Sequence, residues 1–156
     1  MNANMINILL VEDDSIFSRL VELKISKSRD ADRFSIKTAK DLQECFKFLK
    51  SGNIDIVLLD LSDSTGLETI ERFHKSYPDV PVIVLTAQSE KAIGTDSIKK
   101  GASAFLEKIN LDSDELTRTI FHTLERNEIQ QQLIIKRQNV RNYLDLAGVI
   151  IVSIDT

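Results

Sequence analysis

Apolar residues recur along this chain in two rhythms. Dense runs stand at residues 6–11, 54–60 (broken near its start by Asp55) and 81–86, with a shorter one at 104–106. Runs of this length rich in Val, Ile and Leu predict strands buried on both faces, as in a parallel sheet. Residues 33–39 alternate instead, with Phe34, Ile36 and Thr38 on one side, as an outer strand would. Between the runs the spacing turns helical: Phe17, Leu20, Val21 and Ile25; Leu42, Cys45, Phe46 and Leu49; Ile70 and Phe73; Leu116, Ile120 and Leu124. Ser15, Asp41 and Asp112 are the predicted helix caps, Gly52 closes the second helix and Pro78 ends the third. Residues 89–100 predict a helix weakened by Gly94 and Thr95. Five strands alternating with five helices give a (βα)5 pattern. Short connections and right-handed crossovers favour an α/β, doubly wound parallel sheet, for which the expected strand order is the flavodoxin-like 2-1-3-4-5.

Composition narrows the function classes without naming one. The chain has 156 residues, enough for one domain and an appendage; it is 42% hydrophobic and 28% charged. A net charge of -4 gives no general attraction to nucleic acid or an anionic membrane. One cysteine, Cys45, excludes an internal disulfide, and with His74 and His122 far apart a zinc site is not expected. Without a membrane-length apolar run or a signal-peptide core, the expected location is the cytoplasm.

The candidate chemistry sits at the strand ends. In open α/β sheets ligands bind just beyond the carboxyl ends of the strands, at the switch point between strands 1 and 3. Strand 1 ends on Glu12, Asp13 and Asp14, strand 3 on Asp60, strand 4 on Thr86, and Lys108 follows strand 5. Singly, each has an ordinary structural explanation as a cap, a turn former or a solvated charge. Together Glu12, Asp13 and Asp60 would share one crevice, in which three carboxylates repel unless a cation joins them. A hard divalent ion with oxygen ligands, Mg²⁺ above all, suits such a set. An ionised Asp60 could then attack a phosphoryl donor, with Lys108 and Thr86 meeting the phosphoryl oxygens.

These segments, ILLVEDDS, DIVLLDL, PVIVLTA and GASAFLEK, resemble the receiver domain of two-component response regulators over about residues 5–125. The resemblance implies Asp60 as phosphoacceptor, Glu12 and Asp13 as the acidic metal pair, and the Ser62 backbone carbonyl as a further Mg²⁺ ligand. It implies Thr86 as the switch hydroxyl, Lys108 as the phosphate-pairing lysine and Phe105 as the aromatic that reorients with Thr86. A histidine kinase or phosphotransfer protein would supply the phosphoryl group, and the module would be a signalling switch, catalysing only its own phosphorylation and dephosphorylation. Two departures stand out. The loop Leu61-Ser62-Asp63-Ser64-Thr65-Gly66 is shortened and lacks the family's proline. Ile109 follows Lys108 where the family has a cis-proline, so a trans bond and a displaced Lys108 are expected there.

Residues 1–126 are thus the expected receiver, and residues 127–156 a signalling or linker helix followed by the start of another domain. The helical part, 125–141, carries Ile129, Leu133, Ile134, Ile135 and Val140 without a strict heptad; it offers a route to a homodimer. Residues 143–156 contain a strand-like apolar run that resembles the opening of a PAS domain, cut short, within a longer regulator whose output domain is the other expected partner. The competing reading is a phosphorylation-independent pseudo-receiver, favoured by the missing prolines. A free-standing phosphohydrolase lacks a second acid at Ser62. Flavin binding is disfavoured by the poor phosphate cradle at 62–66 and by the carboxylates.

Overall fold

The computed structural model describes residues 5–60, 66–87 and 91–154. Strands β1 (Ile6–Val11), β2 (Phe34–Ala39), β3 (Ile56–Asp60), β4 (Val82–Thr86) and β5 (Ala104–Glu107) form one sheet. All pairs are parallel and the order is β2-β1-β3-β4-β5, the expected flavodoxin-like arrangement. The helices are α1 (Ser15–Ser26), α2 (Leu42–Lys50), α3 (Gly66–Ser76), α4 (Lys91–Lys99) and α5 (Ser113–Ile154). The chain divides into two units, Met1–Leu124 and Glu125–Thr156.

Strand alternation builds a core on each face of the sheet. Ile8, Leu10, Ile56, Leu58, Ile83 and Leu85 point to one side, where Val21 and Ile25 of α1 and Leu116 and Ile120 of α5 cover them. Leu9, Val11, Val57, Leu59, Val82 and Val84 point to the other, under Cys45 and Leu49 of α2 and Ile70 and Phe73 of α3. Burial of β1, β3 and β4 on both sides explains why their sequences are continuous apolar runs rather than alternating ones.

Local chemistry fixes the element ends. Asp41 caps α2 by accepting from the Glu44 N–H at 2.8 Å, and Gly52 adopts φ +88° just past the helix, donating to the Leu49 carbonyl. Asp112 accepts from the Glu115 N–H at 3.3 Å at the start of α5. The cap of α1 is Asp14, not Ser15: its carboxylate accepts from the N–H groups of Ile16 and Phe17, while Ser15 is already the first helical residue. Leu20, expected on the core face of α1, is exposed, because Val21 and Ile25 with Ser18 hold that face. Strand β3 starts at Ile56 rather than Ile54, since Asp55 turns its carboxylate back to the Asn7 N–H at 2.8 Å.

The largest difference lies at the far end. The strand expected after Gly148 is helical through Ile154. A β-branched run favours a strand only where a neighbouring strand can satisfy its backbone, whereas a helix satisfies its own.

Candidate functional site

The parallel register brings the strand ends to one level. Val11 pairs with Leu59, Asp60 with Leu85, and Thr86 with Glu107, so the residues that end or follow β1, β3, β4 and β5 border one crevice. Glu12 is buried there, its N–H donating to the Ala39 carbonyl at 3.0 Å. Carboxylate oxygens of Glu12, Asp13 and Asp60 all lie within 4.8 Å of one another.

Lys108 answers that negative charge. Its Nζ donates to Glu12 Oε2 at 3.1 Å and stands 2.5 Å from Asp60 Oδ1. The Asp60 oxygen is buried and receives no well-directed hydrogen bond, so this contact is a charge pairing. No described peptide bond is cis, so Ile109 follows a trans bond, as expected. With that trans bond Lys108 reaches both acids, its main chain held by the Lys108 N–H donating to the Thr86 carbonyl at 2.8 Å.

The acids and the lysine shift one another's protonation. Burial pushes Glu12 up to about 7; the Asp14 N–H and the Lys108 ammonium pull against that, and neighbouring Asp60 adds to it. Burial works to lower the Lys108 pKa, but the bonds to Asp60 and Glu12 outweigh it and the net shift is upward, keeping the ammonium charged. A cluster of three carboxylates with one oxygen short of donors is chemically suited to a hard cation.

The remaining candidates are distributed around this centre. Thr86 is fully buried, and its hydroxyl makes a long 3.5 Å bond to the Leu106 carbonyl. Phe105 is half-buried, packed against the α2/α3 side of the core. Ser62 and the shortened loop fall in 61–65, outside the described residues. One contributor went unnoticed in the sequence: the Phe17 ring, with its centroid 4.4 Å from Lys108 Nζ, so an aromatic face backs the ammonium. Its helical spacing marked it only as core.

A family model, the response regulator receiver domain, matches residues 8–121. Transcriptional regulatory protein GlrR of Escherichia coli K12 is 28% identical over 123 residues, 78% of this chain and 27% of that protein. A putative NtrX-like response regulator of Rickettsia conorii is 24% identical over 147 residues, 92% of this chain and 30% of its own length. The chain therefore spans under a third of either. Among solved structures, a response regulator from Thermotoga maritima superposes with a TM-score of 0.67 at 26% identity, covering 78% of this chain and 98% of that one.

Proposed function

The chain belongs to the response regulator receiver family, and from that premise we propose that it is a phosphoacceptor switch in which Asp60 takes a phosphoryl group from a histidine kinase or phosphotransfer protein. The observation that carries this reading is the clustering of Glu12, Asp13 and Asp60 within 4.8 Å, with Lys108 on the Asp60 carboxylate. Glu12, Asp13 and Asp60 fit Mg²⁺ by donor type and by the oxygen of Asp60 that lacks directed donors; the Ser62 carbonyl is the further ligand the family implies. When bound, Mg²⁺ supplies charge neutralisation at the phosphoryl oxygens.

In the transfer, an Asp60 carboxylate oxygen attacks phosphorus. The bond from phosphorus to the donor nitrogen breaks, and its electron pair stays on the donor imidazole. Lys108 then shares its ammonium between Glu12 and the new phosphoryl group. Thr86 exchanges its long bond to the Leu106 carbonyl for one to a phosphoryl oxygen, and Phe105 follows, changing the surface offered to partners. The partners proposed are the phosphodonor protein, an output domain of the same regulator and a second copy of the chain; the proposed setting is the cytoplasm.

A phosphodonor protein must cover the rim of the crevice to bring its imidazole to Asp60. Helix α1 starts at that rim, and Ile16, Leu20 and Leu23 form an exposed apolar stripe along it at helical spacing; Ile16 is 81% exposed. Ile109, next to Lys108, is also exposed. These four side chains are the proposed seat.

The test is intact-protein mass after incubation with Mg²⁺ and acetyl phosphate or phosphoramidate. One added phosphate, absent in Asp60→Asn and without Mg²⁺, is the expected result. No addition from either donor, with Mg²⁺ shown not to bind, would replace this reading with a phosphorylation-independent interaction module.

A further inference from the structure

Helicity through Ile154 changes what the second unit can do. If the helix stopped near residue 141, its apolar residues would make only a short, irregular seam. Continued to Ile154, the helix has Ile129, Leu133, Lys136, Val140 and Tyr143 at alternating steps of four and three. The sequence carries the same steps on to Ala147, Ile150 and Ile154. A repeat averaging 3.5 residues is the one that keeps a straight stripe in contact with a second, supercoiled helix. The stripe has eight positions, and only Lys136 is not apolar.

Among the described side chains of the second unit, nothing covers this stripe. Every residue from Gln132 to Leu146 is exposed; Ile129 is 58% and Val140 58% accessible. A lone helix of this kind draws little stability from its own hydrogen bonds in water, and most helices depend on packing one apolar face. We propose that the occupant of the stripe is the same stripe of a second copy, so that residues 129–154 form a two-stranded coiled coil.

Three features favour a second copy over an unrelated partner. The seam spans just under four heptads, about 39 Å at 1.5 Å per residue, the length at which a heptad pattern argues for a coiled coil. Its pattern is complete on one helix, so an identical helix matches it layer for layer. Its flanks also avoid like-charge clashes in a parallel, in-register pair: Gln132 meets Arg137, and Asn139 meets Leu144. Lys136 is the costly layer, where the stem lies along the seam and the ammonium reaches out to water. Ile134 and Ile135 lie on the other side of the helix and are not used.

The experiment is sedimentation equilibrium of the full chain and of Asp60→Asn, both without phosphodonor. Both are expected to be dimers, and Leu133→Glu/Val140→Glu a monomer. Ile134→Glu/Ile135→Glu adds the same two charges on the opposite side and should leave the dimer intact. Lys136→Leu should lower the dissociation constant at least tenfold, and this gain does not depend on a disruptive variant folding well. A wild-type chain monomeric at every concentration, a dimer surviving the double glutamate variant, or no gain from Lys136→Leu would each overturn the proposal. Because phosphorylation takes no part, a failed phosphotransfer assay leaves this result standing, and the reverse.

Discussion

The ring of Phe105 lies against the backbone of Gly94. A Cβ on residue 94 would stand 2.6 Å from Cε2 and 2.8 Å from Cγ of that ring. Glycine in mid-helix costs α4 about 1 kcal/mol relative to alanine, so helix propensity alone would favour a replacement. Contact with the proposed switch aromatic outweighs that preference, because the ring occupies the space a methyl group needs.

Gly94→Ala should therefore lower stability by about 1–2 kcal/mol, the overpacking penalty exceeding the gain in propensity. In a Phe105→Ala background the same change should be neutral or stabilising. Urea denaturation of the four proteins gives the coupling directly. A stabilising Gly94→Ala in the presence of Phe105 would show that the ring yields without cost.

Lys108 holds two buried carboxylates, and its removal leaves them facing each other. Lys108→Met should destabilise the metal-free protein by about 1–3 kcal/mol, reduced from a fully buried pair because the ammonium is partly in water. Adding Asp60→Asn removes one of the stranded charges and should recover part of the loss. Urea titrations in EDTA decide it; if the second change deepens the loss, repulsion between the acids is not the cause.

Much of this site was legible in the sequence, and the exceptions share a physical reason. Strand runs report burial on two faces, so β1, β3 and β4 could be located from pattern alone, with the acids at the ends of β1 and β3 and the Thr86 hydroxyl at the end of β4. Periodicity gives a side of a helix but not what sits above its edge, so Phe17 was readable as core and not as the aromatic behind Lys108. Leu20 had the right spacing but lay at the margin of the buried arc. Adjacent cap candidates, Asp14 and Ser15, differ only in which carries the extended backbone. The run past Gly148 has the composition of a strand, but composition does not supply the neighbour a strand needs, and the segment is helical.

Mg²⁺ should stabilise the protein by mass action. At ten times its dissociation constant the gain is about 1.4 kcal/mol, a rise of a few degrees in Tm. EDTA should abolish it. Asp13→Ala, which removes an exposed acid, should eliminate the rise without lowering the metal-free Tm. An undiminished Mg²⁺ response in that variant would remove Asp13 from the ligand set.

The apolar stripe on α1 should matter to a protein donor and not to a small one. Ile16→Glu with Leu20→Glu should slow phosphorylation of Asp60 by a partner kinase about tenfold or more, the scale of losing interface anchors. Phosphorylation by acetyl phosphate should be unchanged, because both side chains point to solvent and neither belongs to the acidic cluster. Equal slowing with both donors would mean the stripe acts through the site.

Cys45 gives a pH dependence independent of the acidic crevice. Its side chain is fully buried beneath the sheet, and burial pushes the thiol from 9.0 up to about 12. The folded state therefore holds the proton more tightly than the unfolded state. The stability this contributes is fully present below pH 9 and is lost as pH rises through 9 towards 12. The difference in unfolding free energy between wild type and Cys45→Ala should shrink over that window and stay flat below it. Native protein at pH 8 should react with iodoacetamide only as fast as it opens, so labelling should accelerate with urea. Rapid labelling in the absence of denaturant would place the thiol within reach of water and remove the basis for the shift.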